Sequence, residues 1–214
     1  MAGSRIKICG ISTLETLEAA ILARADYVGL NFYPPSPRHV PAARAAELAG
    51  QSQSRIARVG VFVDADDALL GEAIEAGRLD AIQLHGNESP QRAAQLRNRF
   101  GLPVWKVLSV ASAADIQRAG DYAAAVDFIL FDAKTPKGAA LPGGMGLRFD
   151  WTLLQAYRGA LPWGLAGGLT PDNVGDAVRL TNAPLVDTSS GVESAPGLKD
   201  VDKIAAFCKA ARQS

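Results

Sequence analysis

Short runs of β-branched and apolar residues recur along the chain, and between them lie longer segments where apolar positions return at helical spacing or alanine dominates. The runs stand at Ile6–Cys9, Tyr27–Phe32, Arg58–Val63, Ala81–Leu84, Val104–Leu108, Val126–Phe131, Pro162–Ala166 and Leu185–Asp187. Helices are predicted at Thr13–Arg24, Ala42–Ala49, Ala65–Ala76, Pro90–Phe100, Ala113–Ala119, Trp151–Ala156, Pro171–Leu180 and Asp200–Arg212. Alternation of this kind is the signature of βα units around a parallel sheet. Several helix starts carry their own signals: Ser12 or Thr13 with Glu15 or Thr16, Ser89 before Pro90, and Thr170 before Pro171. Each supplies a capping side chain or a first-turn proline for the open helix end.

Eight such units in 214 residues fit a (β/α)8 barrel with almost no decoration. A doubly wound open sheet is the rival. No G-x-G-x-x-G follows the first strand, however, while glycine-rich turns follow the sixth, seventh and eighth. The expectation is therefore an α/β chain folded as a single (β/α)8 TIM barrel over residues 1–214. Chemistry in that fold sits at the C-terminal ends of the strands, which confines the search for functional residues.

Charge changes the picture next. The 22 Lys+Arg residues balance 22 Asp+Glu, and no long run of like charge occurs, so neither nucleic acid nor a membrane surface is an expected partner. No stretch approaches the ~18 apolar residues of a membrane span, and the N-terminus lacks the apolar core of a signal peptide. Cys9 and Cys208 lie near opposite ends and do not resemble a disulfide framework, which suggests a reducing cytoplasm. Neither metal-ligand spacing nor a phosphate-loop motif is present, so no metal and no cofactor are expected.

Among strand-end residues, Cys9 closes the first strand in Lys7-Ile8-Cys9-Gly10. A free cysteine is by default a small buried hydrophobe. Period-two alternation, however, puts Ile6 and Ile8 on one face and Lys7 and Cys9 on the other. If the isoleucines pack on the helices, the thiol points into the barrel mouth, and Lys7 lies one layer deeper. An ammonium there favours thiolate, and Asp187 on the adjoining eighth strand is the expected partner of a buried Lys7. Cys208 contrasts: Ile204, Phe207, Cys208 and Ala211 form a helical stripe, which predicts a core position. Asp132 follows Phe128-Ile129-Leu130-Phe131 and is either a turn-former bonding its own backbone or a group placed for proton transfer. His85 ends the fourth strand with the same ambiguity.

Gly167-Gly168 and Ser189-Ser190-Gly191 follow the seventh and eighth strands, where main-chain N–H groups can hold a phosphate. Arg38 lies in a loop stiffened by three prolines, a rigid setting for an anion contact. Taken in order, several segments resemble the phosphoribosylanthranilate isomerases. They are Lys7-Ile8-Cys9-Gly10-Ile11, Gly29-Leu30-Asn31-Phe32-Tyr33 through Ser36-Pro37-Arg38, Val61-Phe62-Val63 and Gln83-Leu84-His85-Gly86. Further along come Phe131-Asp132, Gly143-Gly144 with Gly146, Phe149-Asp150-Trp151, Leu165-Ala166-Gly167-Gly168-Leu169 and Ser189-Ser190-Gly191-Val192-Glu193.

The resemblance implies a (β/α)8 isomerase acting on a small phosphoribosyl molecule, as a monomer or a homodimer. It implies Cys9 as general base, Asp132 as general acid and Arg38 as ligand of an aromatic carboxylate. Gly167, Gly168, Ser189, Ser190 and Gly191 are implied at the phosphate. The loop after the sixth strand has Met145 where the family usually places a small polar residue, so backbone contacts, Gly144 among them, are what it offers. Another aldose–ketose isomerase of a phosphoribosyl compound is the alternative. A second phosphate is disfavoured by the acidic Val63-Asp64-Ala65-Asp66-Asp67. A non-catalytic metabolite-binding barrel would need neither Cys9 nor Asp132.

Overall fold

The structure, a computed structural model, describes residues 3–133 and 148–214. Eight parallel strands close in chain order into a barrel. They are β1 (Arg5–Cys9), β2 (Tyr27–Asn31), β3 (Ala57–Phe62), β4 (Ala81–Leu84), β5 (Val104–Val110), β6 (Phe128–Ala133), β7 (Trp163–Leu165) and β8 (Leu185–Thr188). Closure pairs β1 with β8 in a register that sets Lys7 opposite Asp187, while Cys9 lies opposite Gly29 of β2.

The strand alternation has a physical consequence at every layer. Ile6 and Ile8 join the apolar layer between the strands and the helices, together with Leu17, Phe207 and Cys208. Inside the barrel, Trp105, Phe128, Leu130 and Leu185 fill the lower half. Polar residues therefore occupy the upper interior, as the sequence pattern predicts. At the lower rim, Asp26, Asp80 and Asp127 each precede an even-numbered strand and accept an amide at the start of the odd strand before it. The bonds are Ile6 N–H at 2.7 Å, Arg58 N–H at 2.8 Å and Val104 N–H at 2.8 Å. These carboxylates latch the strand pairs in register at the N-terminal end of the barrel.

Helices α1 (Leu14–Leu22), α2 (Ala42–Ser52), α3 (Asp67–Gly77) and α4 (Pro90–Phe100) fall where the pattern predicts. Thr13 caps α1 through Thr16 N–H, and Ser89 caps α4 with Pro90 in its first turn. The later units depart from expectation. The fifth helix is split into α5 (Ala113–Gln117) and a 3-10 turn (Arg118–Tyr122), and Trp151–Ala156 is a 3-10 turn as well. The sixth α-helix, α6 (Val174–Thr181), starts three residues after Pro171. There Asn173 uses its side chain on the preceding turn, accepting from Thr170 N–H at 2.9 Å and donating to the Gly168 carbonyl at 3.0 Å. Thr170-Pro171 is thus part of a turn that holds Gly168 in place.

Beyond β8 comes an element that no periodicity announces. A short 3-10 turn (Ser190–Val192) leads into a hairpin, β9 (Glu193–Ala195) and β10 (Leu198–Lys199), before α7 (Val201–Arg212). On the helix-facing side of β5, Lys106 and Glu88 form a buried ion pair at 2.7 Å. Glu88 also accepts the Asp64 amide, so the loops after β3 and β4 share one anchor. No helix among the described residues is long and apolar enough to cross a membrane.

Candidate active site

Lys7, Cys9, Gln83, His85, Asp132 and Asp187 alternate with core residues along β1, β4, β6 and β8 or at their ends, and so share the barrel interior. Lys7 is fully buried, an expensive place for an ammonium. Asp187 answers it with an oxygen 2.9 Å from Nζ, the partnership expected from the strand order. Burial works against the Lys7 charge, but the attraction of Asp187, with a lesser share from Cys9, raises its pKa on balance. Burial lifts the Asp187 carboxyl, and Lys7 pulls it back part of the way.

Cys9 stands immediately above, about nine-tenths buried. Gly29 is opposite: a Cβ at position 29 would come within 2.7 Å of Sγ and 3.1 Å of the Lys7 Nζ. The thiol and the ammonium thus converge on a strand position that has no side chain. Here the structure corrects a simple expectation. Lys7 does favour the thiolate, as does Lys199, but burial is the larger effect and the Cys9 thiol is pushed up overall. Cys208, in the outer layer, is pushed up to about 11 by burial, as a core thiol should be.

Asp132 lies near the end of β6 on the interior face, and the turn-former's bond to its own backbone is present. Its Oδ1 accepts the Ala133 amide at 2.8 Å, the local turn bond. Its Oδ2 lies 3.4 Å from Nε2 of His85, a buried nitrogen with no hydrogen bond among the described residues. The backbone thus fixes one carboxyl oxygen while the other faces the interior. Cys9 and Asp132 come from β1 and β6, which are not neighbours, so they approach the mouth from different sides.

Gly167 and Gly168 both have positive φ, at 87° and 62°. A Cβ at Gly167 would lie 2.5 Å from the Ala133 amide nitrogen and 2.9 Å from Asp132 Oδ1, so only glycine lets this turn pass the end of β6. At Gly191 a Cβ would collide with the Leu169 carbonyl, which packs the Ser189–Gly191 turn against the Gly167–Gly168 turn. The amides of Gly168, Ser190 and Gly191 make no hydrogen bond among the described residues. Two adjoining turns therefore present open donors, the arrangement that phosphate oxygens need. Gly144 and Met145 lie outside the described residues.

Arg38 is buried, not a solvated loop residue. Its Nε and Nη2 grip both oxygens of Glu193, each at 2.8 Å. The bidentate carboxylate on this edge of the guanidinium belongs to the protein itself. Burial opposes the Glu193 charge, yet hydrogen bonding to Arg38 and the nearby Lys199 hold its carboxyl below the usual range. Lys199 shares Oε1 of Glu193 with Arg38, at 2.5 Å, and donates to the Ser189 carbonyl at 3.0 Å. Burial lowers the Lys199 pKa, and Glu193 counters only part of that. Neither Lys199 nor Gly29 stands out in the sequence as a functional residue. Gly29 was accessible by alternation, being on the interior face opposite Cys9, whereas nothing near Lys199 signals its burial.

Residues 6–210 match the family model described as N-(5'-phosphoribosyl)anthranilate (PRA) isomerase. The N-(5'-phosphoribosyl)anthranilate isomerase of Paramagnetospirillum magneticum is 56% identical over 207 residues, covering 97% of this chain and 96% of that protein. Among solved structures, phosphoribosyl anthranilate isomerase from Thermotoga maritima superposes with a TM-score of 0.88 at 36% identity, covering 99% of this chain and 100% of that one. A phosphoribosyl anthranilate isomerase in complex with reduced 1-(o-carboxyphenylamino)-1-deoxyribulose 5-phosphate gives a TM-score of 0.85 at 34% identity, with the same coverage.

Proposed function

The chain belongs to the N-(5'-phosphoribosyl)anthranilate isomerase family, and from that premise we propose how its residues divide the work. The reaction is the Amadori rearrangement of N-(5-phosphoribosyl)anthranilate to 1-(2-carboxyphenylamino)-1-deoxyribulose 5-phosphate, a step of tryptophan biosynthesis. It needs one acid and one base, applied to different atoms of the sugar.

Asp132 is the acid. Protonated, it donates to the furanose ring oxygen; the bond from that oxygen to C1 breaks and the nitrogen lone pair forms the Schiff base. Cys9 is the base. As thiolate it removes the proton from C2, and the electron pair moves to give the enolamine. C1 then gains a proton and the C2 hydroxyl loses one, leaving the ketone. Burial raises the Cys9 thiol, and the ammoniums of Lys7 and Lys199 work against that and favour its thiolate. The phosphate is held by the turns at Gly167-Gly168 and Ser189-Ser190-Gly191, whose Gly168, Ser190 and Gly191 amides make no hydrogen bond among the described residues. Gly144 contributes from the loop after β6. Arg38 receives the ring carboxylate. Two unpaired cysteines, one serving as base, suit a reducing cytoplasm.

The observation that carries this reading is the placement of Cys9 and Asp132 on separate strands of one interior, beside a cradle of open amides. Its test follows the loss of anthranilate fluorescence as freshly made substrate turns over. Cys9→Ala and Asp132→Asn are each expected to lose at least 10³-fold in kcat, within the range for general acid–base groups. Turnover within tenfold of the parent in either variant would remove that residue from its role.

A further inference from the structure

Arg38 and Glu193 are far apart in the chain, yet they form a buried bidentate pair at the barrel mouth. The pair is one part of a larger tie. Glu193 opens the β9–β10 hairpin, and Lys199 of β10 bonds back to it at 2.5 Å. Lys203 at the start of α7 holds the Glu193 carbonyl at 2.8 Å. At the hairpin turn, a Cβ on Gly197 would come within 2.5 Å of the Pro37 carbonyl, so the tip rests on the main chain of the loop that carries Arg38. The Arg38 side chain itself crosses Gly10, the residue after Cys9, with Cδ 2.8 Å from where a Cβ would be.

These contacts act on one side chain. A free arginine samples many rotamers, and a planar fork confers selectivity only when its direction is fixed. Glu193 fixes it from one edge, Gly10 admits its stem, and Gly197 sets the loop beneath. Charge gives the same answer. Arg38 Nε and Lys199 Nζ meet on the same Glu193 oxygen, so neutralising the carboxylate sets two buried cations against each other and releases the guanidinium.

We propose that the β9–β10 hairpin is a specificity device, in which Glu193 is a positioning residue that aims Arg38 at the carboxylate of the substrate's aromatic ring. This rests on the reading of Arg38 as carboxylate ligand given above. Discrimination then comes from an arginine set in advance, which a substrate lacking the carboxylate cannot use.

The test compares kcat/KM for N-(5-phosphoribosyl)anthranilate with that for N-(5-phosphoribosyl)aniline, which lacks the carboxylate. Glu193→Gln is expected to lower this ratio roughly tenfold, mainly through KM for the carboxylated substrate, the scale of one charge-assisted contact. Glu193→Asp, which keeps the charge, should recover part of the ratio and serves alone if the glutamine variant does not fold. A merely structural Glu193 lowers both substrates alike and leaves the ratio unchanged, which overturns the proposal. Arg38→Met separates the two layers. If it collapses the ratio while both Glu193 variants keep it, the proposal fails and the Arg38 reading stands. If Arg38→Met also keeps the ratio, that reading fails and the proposal with it.

Discussion

Replacing Lys7 by methionine removes one charge from a fully buried pair and leaves the other behind. At the observed 2.9 Å, the gross attraction is ~6 kcal/mol at an effective dielectric of about 20. Taking both ions out of water costs several kcal/mol each, so the intact pair contributes little net stability. The broken pair is another matter. Asp187 alone is an uncompensated buried carboxylate, and the expected loss is ~3–5 kcal/mol, a large share of the roughly 5–15 kcal/mol that holds a domain together.

The assay is urea denaturation of Lys7→Met beside Lys7→Met/Asp187→Asn. The double variant, with no stranded charge, is expected to lose only ~1–3 kcal/mol, the cost of an unsatisfied polar group. A single variant that loses less than ~1 kcal/mol, or a double variant less stable than the single, would refute the reasoning. The pH dependence has a definite sign. Because the folded Lys7 pKa is raised, its stabilising share is complete below the ordinary lysine value of ~10.4 and is lost as pH rises through the folded value. Lys7→Met should lack that alkaline loss. Its Cys9 thiol, deprived of a cation, should also react more slowly with iodoacetamide near neutral pH.

Gly29→Ala places a methyl group 2.7 Å from Cys9 Sγ; it is expected to cost ~1–3 kcal/mol in stability and at least tenfold in kcat, measured by melting and turnover. In the unaltered protein, peptide mapping after iodoacetamide should find Cys9, which faces the barrel interior beside the Lys7 and Lys199 ammoniums, modified well before Cys208, which is packed in the outer layer with no lysine favouring its thiolate. Glu193 is held below the usual carboxylate range, so its share of stability is present above the ordinary ~4.3 and fades as pH falls through the folded value. Acid melts of Glu193→Gln should show a shallower decline below that pH than those of the parent.

Much of this architecture was legible because parallel strands leave a plain mark. Ala81–Leu84 and Pro90–Phe100 match the structure residue for residue. Alternation alone put Lys7 and Cys9 inside, and strand order alone paired Lys7 with Asp187. What stayed hidden depends on distant partners. The β9–β10 strands, three and two residues long, are polar and lack the apolar run that marked β7, so the hairpin was missed, and with it the burial of Lys199. Arg38 was read as an anion ligand from its rigid loop, but its protein partner, Glu193, comes from the far end of the chain. Thr170-Pro171 imitates a helix start because a turn and a first helical turn use the same residue types. The burial of Lys106 had no signal either, since Glu88 lies in a loop.

The division of labour between Cys9 and Asp132 is the central claim, and an isotope effect tests it most directly. Substrate carrying deuterium at C2 is given to the unaltered protein, to Cys9→Ser and to Asp132→Asn, and single turnovers are compared with those of protonated substrate. With Cys9 as the base for C2–H and Asp132 acting earlier at the ring oxygen, weakening the base should enlarge the primary isotope effect. Removing the acid should bring it towards unity, because ring opening becomes limiting. An isotope effect that is the same in both variants, or that grows in Asp132→Asn, would contradict the assignment.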